Sequence, residues 1–418
     1  MADQVYSRTQ QGTPTLSRTL SLWHATLYGL GVTIGAGIYV LIGAAAARAG
    51  MQAPMAFIAA ALLMALSAAS FAELACRFPV AAGEAAYVRE GFGSGRLATV
   101  AGLLVVMIAI VSSAAISIGS AGYLSIFLPL PKWMLVSCVV LAMGVVASLG
   151  VKESVSFAGV MTLIEIGGLL VLIAAGSISD APLVARLPEM LAPTGGTIQL
   201  TGLLGATLLA VFAFIGFEGL ANVAEEVRDP RRNLPRAIFL TLAITTGLYV
   251  AVVWISLVAV GHAELARSEA PLALVFERLT GASPRTMALV ALVATLNGII
   301  VQIIMSSRVL YGLARQGKLP AALGEVSKQT RTPVVATAVT IAVVLILALL
   351  LPLHDLAEAT SSLTLAVFAL VNISLIRIKH RTVDIAQAHY QAPSWVPWAG
   401  ATSCVALLIA DAAVKLWT

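Results

Sequence analysis

The sequence has little charge for its length. Asp, Glu, Lys and Arg together make up 11% of its 418 residues, whereas soluble domains average about 25%. Hydrophobic residues account for 59% of the chain, and its mean hydropathy is +0.96. A disordered chain is excluded because such chains are poor in apolar residues. Since no soluble core could bury so much apolar material, the composition predicts an integral membrane protein.

Cysteine and histidine are also scarce. The three cysteines, Cys76, Cys138 and Cys404, lie in or beside apolar runs, which indicates small buried hydrophobes and excludes a secreted disulfide scaffold. The five histidines occur singly, at the ends of apolar runs or between them. No spacing typical of metal ligands or of a hydrolase nucleophile occurs. We therefore expect no enzyme activity, no metal site and no cofactor.

The net charge of +5 does not indicate a nucleic-acid partner, because the basic residues occur in short groups between apolar runs. A bilayer core about 30 Å thick needs roughly 20 apolar residues per helix. Eleven runs approach or exceed that length and predict an all-α integral membrane protein with about 11 transmembrane helices. The predicted spans are 22–47, 53–75, 97–127, 132–150, 155–178, 198–224, 236–261, 284–312, 333–352, 356–377 and 396–416.

Lys and Arg are distributed unevenly over the connections between these spans. If the N-terminus is cytoplasmic, 18 of the 25 basic residues lie in cytoplasmic segments, as the positive-inside rule requires. The first 20 residues lack the apolar core of a signal peptide, so we expect no cleavage there. The sequence thus predicts a multi-pass protein of the cell inner (cytoplasmic) membrane with its N-terminus in the cytoplasm.

Two of the predicted spans contain clustered glycine near their centres, at matching places in the two halves of the chain. The first span holds four glycines from Gly29 to Gly37, and the sixth has Gly216 and Gly219 on either side of Glu218. Close helix packing is one explanation of such residues, but corresponding breaks in two halves are typical of inverted-repeat transporters. Unwound segments would expose amides and carbonyls, which suit the carboxylate and ammonium groups of an α-amino acid.

Four stretches carry a resemblance to a known family. They are Thr33 to Ile38, Arg77 to Val88, Phe212 to Ile238 and Arg308 to Pro320. On these motifs the chain resembles the amino acid, polyamine and organocation (APC) transporter superfamily, and within it the amino acid permeases. The resemblance implies a five-plus-five inverted repeat of the leucine-transporter type. The implied division is a cytoplasmic tail at 1–20, a first repeat of spans 1–5 at 21–178, an extracellular connection at 179–197, a second repeat of spans 6–10 at 198–378, a cytoplasmic loop at 379–394 and a final span at 395–418.

The resemblance also implies where the substrate binds. Amides from Gly35 to Gly37 would hold its carboxylate, and carbonyls of Thr33 and of the sixth span would hold its amino group. An aromatic residue at the Phe212 position would act as a gate toward the outside. The implied substrate-binding residues are Thr33, Ile34, Gly35, Ala36, Gly37, Phe212, Ala213 and Ile215.

One carboxylate, Glu165, lies about halfway along the fifth predicted span. A charge there costs at least about 2.5 kcal/mol on insertion scales, so the group should be neutral, paired or hydrated. Many members of the family have a lysine at this position, and glutamate is a departure from that pattern. We predict that Glu165 binds and releases a coupling proton; a sodium site and a purely structural, protonated acid are the alternatives. Glu218 is a second candidate for ion coupling, although a structural role at the unwound turn is favoured.

Further residues are candidates for the wall of the cavity. The polar candidates on the eighth and tenth spans are Asn297, Gln302, Ser361, Ser362 and Thr364. The small or apolar candidates are Ala114, Ala115, Ile118, Ile300 and Val301. Ordinary interhelical hydrogen bonding is the alternative explanation of the polar candidates. A wall that is predominantly small and apolar favours small neutral substrates.

These observations predict a secondary active transporter that moves L-amino acids, neutral ones in particular, by alternating access. Its expected partners are the amino acid substrate, a proton, which is favoured over sodium, and the lipid bilayer. An exchanger or exporter of amino acids or amines is an alternative, as is a polyamine substrate. A membrane sensor of amino acids that does not transport them is an alternative of another class.

Overall fold

The computed structural model describes residues 20–35, 37–78, 83–149, 155–191, 197–381 and 390–417, and these residues form helices joined by short connections. No β-strand occurs within those ranges. The helices are α1 (Leu22–Ile34), α2 (Gly37–Ala49), α3 (Ala53–Arg77), α4 (Gly83–Phe92), α5 (Gly95–Leu124), α6 (Lys132–Leu149), α7 (Val155–Ile178), α8 (Leu187–Leu191), α9 (Thr197–Phe214), α10 (Pro230–Val260), α11 (His262–Arg267), α12 (Pro271–Thr280), α13 (Arg285–Arg315), α14 (Val334–Leu350), α15 (Leu353–Arg381) and α16 (Trp395–Trp417).

The lengths of these helices match a multi-pass membrane protein. Within the described residues, nine stretches are long and apolar enough to cross a membrane, and α14 is a shorter apolar helix. One of the nine, Gly37–Arg77, combines α2 and α3 around a 3-10 turn at Gly50–Gln52. Each of the eleven predicted spans thus corresponds to one helix or, for the first and sixth, to two helical segments. The predicted all-α membrane fold is confirmed, whereas the division into two repeats stays a prediction.

The ends of several helices follow local sequence signals. Ser21 precedes α1, and its hydroxyl accepts a hydrogen bond from the backbone N–H of His24, which satisfies one of the free donors at the helix start. Proline is the first residue of α10, where its missing N–H is not needed. Gly281 ends α12 in the left-handed conformation, with φ +66°. Short-range chemistry therefore sets these boundaries.

The first and sixth predicted spans are both interrupted. α1 ends at Ile34 and α2 begins at Gly37. α9 ends at Phe214, and the chain continues as a 3-10 helix at Phe217–Glu226. The helices thus break at Gly35 in the first span and at Ile215 and Gly216 in the sixth, which confirms the two interruptions predicted from clustered glycine.

The two interruptions lie against each other. A Cβ atom on Gly37 would overlap the Cα of Ala213, and one on Gly216 would lie 2.8 Å from the Cα of Thr33. Gly216 also has φ +137°, a conformation that side-chain-bearing residues rarely adopt. Only glycine permits this approach of backbone to backbone, so the glycines serve contact between the two broken spans.

Buried polar groups join α3 to α15 and to the chain just before the last span. Asn372 on α15 donates to the Ser67 hydroxyl (3.0 Å) and accepts from the Ser70 hydroxyl (2.6 Å), both on α3. Near the ends of the same helices, the buried Glu73 carboxylate pairs with Lys379 (2.8 Å) and accepts from the backbone N–H of Ala392, just before α16. These contacts join α3, α15 and the start of α16.

Candidate functional site

A cavity lies beside the two interruptions. It is partly open to solvent and has a volume of about 70 Å³. Four of the predicted substrate-binding residues line it, namely Thr33 and Gly37 from the first span and Phe212 and Ile215 from the sixth. The cavity therefore combines residues from both interrupted spans, and binding of a substrate by them stays a prediction.

The other predicted substrate-binding residues do not line this cavity. Ile34 and Ala213 are fully buried in the core next to it. Gly35 faces α7 and α13, since a Cβ there would approach the Ala294 carbonyl and the Glu165 carboxylate. Ala36 lies outside the described residues. Whether any of these groups binds the substrate stays a prediction.

The predicted cavity wall is partly wrong. Asn297, Val301 and Gln302 line the cavity as expected. Ala114, Ala115, Ile118 and Ile300 instead pack in an apolar core, and Ser361, Ser362 and Thr364 of the tenth span are not among the lining residues. The lining residues that sequence reasoning missed are Tyr28, Gly31, Val32, Ser112, Ile116, Thr162 and Gly298. Ser112 and Ile116 lie one helical turn apart on α5. The side of this helix that faces the cavity is therefore rotated about the helix axis relative to the side that was predicted.

Tyr249 joins the two interruptions, and nothing in the local sequence marks it. Its hydroxyl lies 2.9 Å from the Thr33 carbonyl and 3.0 Å from the Ala213 carbonyl. One hydroxyl hydrogen can be donated to either oxygen or shared between them. Two carbonyls that were predicted to bind an amino group are thus brought to one point by a side chain on α10. The carbonyl of Thr33, the one of these two residues that lines the cavity, keeps a second lone pair that can accept from a ligand.

Tyr249→Phe is expected to weaken substrate binding by about five- to thirtyfold. Phenylalanine keeps the ring contacts with Phe57 and Phe214 (centroids 5.9 and 5.3 Å apart) and removes only the hydroxyl. Losing a hydrogen bond to a buried carbonyl costs about 1–2 kcal/mol, and the two unwound segments would lose their common anchor. Thermal shift against substrate concentration measures the change in binding.

Tyr123→Phe is the matched control for this prediction. The Tyr123 hydroxyl is also buried and donates to a backbone carbonyl, that of Tyr39, at 2.6 Å. Tyr39 does not line the cavity, whereas Thr33, whose carbonyl lies next to the Tyr249 hydroxyl, does. We expect the Tyr123→Phe substitution to lower the melting temperature without changing the affinity for the substrate. Equal losses of affinity in the two variants would assign Tyr249 a general structural role.

Glu165 lies behind the first interruption and is fully buried. Its Oε1 accepts a hydrogen bond from the Asn297 amide at 3.2 Å, whereas its Oε2 is buried and has no hydrogen-bond partner in the described part of the chain. The Tyr39 hydroxyl donates to the Glu165 backbone carbonyl at 2.7 Å and holds α7 against α2. A buried carboxylate with one vacant oxygen is chemically suited to bind a proton or a cation.

Glu218 has a different environment. Its Oε2 accepts a hydrogen bond from the backbone N–H of Gly216 at 2.8 Å, so the carboxylate closes the turn at the second interruption. This contact favours the structural role expected from the sequence, although ion coupling by either carboxylate stays a prediction.

An aromatic cluster anchors the 3-10 helix after the second interruption. Phe217 contacts Phe71 on α3 and Phe368 on α15, with ring centroids 5.9 and 5.5 Å apart. Phe71 also packs on Tyr87 of α4, at 6.1 Å. The unwound segment is therefore fixed on one side by rings and on the other by backbone contact with the first span. Phe212 lines the cavity and is 4% exposed, and its role as a gate stays a prediction.

Comparisons with known proteins agree with this architecture. The amino acid permease family matches residues 24–418. The branched-chain amino acid permease BcaP of Bacillus subtilis is 28% identical over 90% of this chain and 84% of its own length. The vacuolar cationic amino acid transporter 2 of Arabidopsis thaliana is 30% identical over 88% of this chain but only 61% of its own length. The methylthioribose transporter of Bacillus subtilis is 27% identical over 92% of this chain and 86% of its own length.

Proposed function

Because this chain belongs to the amino acid permease family, we propose that it is a secondary transporter that moves L-amino acids across the membrane by alternating access. The observation that carries the proposal is the contact between two interrupted helices beside one cavity. Thr33, Gly37 and Ile215, which lie at or next to the two breaks, line that cavity. Free amides and carbonyls at such breaks can hold the two charged ends of an amino acid without a charged side chain.

The lining favours neutral substrates. Neither Asp nor Glu is present among the described residues that line the cavity. A cationic side chain would need a carboxylate or several carbonyls to replace its hydration. The aliphatic side chains of Ile116, Ile215 and Val301 offer contact to a short apolar or weakly polar side chain instead.

Proton coupling is the second part of the proposal. Glu165 faces the first interruption, and its free oxygen can take up a proton while the site is closed. Opening to water on one side would favour the carboxylate and release the proton, which links substrate movement to the proton gradient. A cytoplasmic N-terminus and residence in the cell inner membrane, both expected from the sequence, would make this an uptake reaction.

Counterflow in proteoliposomes tests the proposed function. Vesicles loaded with an unlabelled amino acid should take up the same labelled amino acid faster than empty vesicles. The panel contains neutral and cationic amino acids, a polyamine and methylthioribose. A sensor would bind without counterflow, and counterflow with methylthioribose alone would contradict amino acid transport. Stimulation of net uptake by an inward proton gradient distinguishes symport from obligate exchange.

A further inference from the structure

Gln302 has an unusual position on α13. It lines the cavity, and its Oε1 is buried without a hydrogen-bond partner in the described part of the chain. A buried amide group left unpaired costs about 1–3 kcal/mol. Several buried side-chain oxygens lack a partner in the described part of the chain, and among them only the oxygen of Gln302 belongs to a residue that lines the cavity. A ligand in the cavity can therefore satisfy it.

The neighbours of Gln302 leave space for such a ligand. Gly298 lies one helical turn earlier on the same face of α13 and also lines the cavity, and its lack of a side chain leaves that face open. Asn297 donates its amide NH₂ group to Glu165, so that donor is already engaged. Gln302 is the amide on this helix whose buried oxygen has no partner in the described residues.

The chemistry of an amide selects among substrate side chains. An amide can present its carbonyl or its NH₂ group to the cavity after rotation, and a hydroxyl both accepts and donates. An aliphatic side chain would leave the amide unpaired. A cationic side chain would bring a charge into a lining without Asp or Glu among the described residues. The apolar contacts of Ile116 and Val301 suit a methyl group beside the hydroxyl.

We propose that Gln302 is a specificity-determining residue that hydrogen-bonds the side-chain hydroxyl of a small neutral amino acid, of which threonine is the best fit. This inference rests on the proposed function, since it assumes that an amino acid occupies the cavity. It narrows the substrate from neutral amino acids in general to those with a short hydroxyl side chain.

Threonine and valine provide the test, because they have nearly the same shape and differ in a hydroxyl against a methyl group. We expect the kcat/KM of the wild-type protein in proteoliposomes to be at least about tenfold higher for threonine than for valine. A tenfold ratio corresponds to about 1.4 kcal/mol, which is within the range of one hydrogen bond. In Gln302→Leu, the ratio should fall to about one or below, because the paired amide is gone. Gln302→Met, which has a similar volume, repeats the test if the leucine variant does not fold.

Ser361→Ala is the matched control. The Ser361 hydroxyl is also buried without a partner in the described residues but does not line the cavity, so the threonine-to-valine ratio should not change. Equal transport of both substrates by the wild type, or a preference for threonine that survives Gln302→Leu and Gln302→Met, would overturn the assignment while leaving amino acid transport intact. Absence of counterflow with every amino acid would instead overturn the proposed function.

Discussion

Glu165→Gln is expected to abolish the accumulation of substrate that a pH gradient drives. A gradient of about 2 pH units can sustain about a hundredfold accumulation if one proton accompanies each substrate, because a pH unit is worth about 1.36 kcal/mol. Glutamine neither binds nor releases a proton at this position. Uptake by the variant in proteoliposomes should therefore stop at equal concentrations on both sides, a loss of about a hundredfold.

Exchange should survive the same substitution. Glutamine has nearly the shape of the protonated acid, and its carbonyl can still accept the hydrogen bond that Asn297 donates to Glu165. The first interruption, where Gly35 faces this side chain, would keep its packing. Counterflow at a rate close to that of the wild type would show that the variant folds and alternates, so the defect would lie in coupling alone.

Glu218→Gln separates the two carboxylates that the sequence singles out. Glutamine at 218 can still accept the hydrogen bond from the Gly216 N–H, so we expect accumulation to persist in this variant. Undiminished accumulation by Glu165→Gln would contradict proton carriage by Glu165. Loss of wild-type accumulation when choline replaces sodium at constant pH would point to a sodium site at the same carboxylate.

Gly216→Ala is expected to destabilise the protein strongly and to abolish substrate binding. A Cβ there would lie 2.8 Å from the backbone of Thr33 and Val32, and the φ of +137° disfavours any side chain. Strain of this kind costs about 1–3 kcal/mol, and overpacking adds about 1–3 kcal/mol more. Relief would require the two interruptions to separate, which would open the site that they form.

Gly219→Ala is the matched control, three residues further along the same segment. A Cβ on Gly219 would meet only a methyl carbon of Val32, at an ordinary 3.6 Å. Melting temperatures of the purified variants, with and without substrate, measure both effects. We expect a large decrease and no substrate shift for Gly216→Ala, and values near the wild type for Gly219→Ala. Similar behaviour of the two variants would contradict the close-contact explanation.

The sequence predicted the architecture well because the bilayer imposes it. A span must be about 20 apolar residues long and must satisfy its own backbone, so length and clustered glycine were sufficient to locate the spans and both interruptions. Gly35 and Gly216, the residues at the breaks, were among those singled out from the sequence. The substrate-binding residues, by contrast, came from the family resemblance, and four of those eight line the cavity.

The composition of the wall could not be predicted in the same way. A span surrounded by other helices is apolar on every side, so its sequence carries no marked polar face that identifies the cavity side. On α5, Ser112 and Ile116 face the cavity, whereas Ala114, Ala115 and Ile118 pack elsewhere. Short polar residues occur on both faces, and their order along the chain does not distinguish them.

By itself, the sequence determined that this protein spans the membrane repeatedly, that two of its spans are broken, and that buried carboxylates accompany them, because each of these properties depends on local composition. Only the tertiary structure decided which groups meet. Tyr249 reaches the carbonyls of Thr33 and Ala213 across 216 and 36 residues of chain, and Asn297 reaches Glu165 across 132. Such pairings depend on the rotation and depth of each packed helix, and helices that are apolar on all sides do not record these in their own sequence.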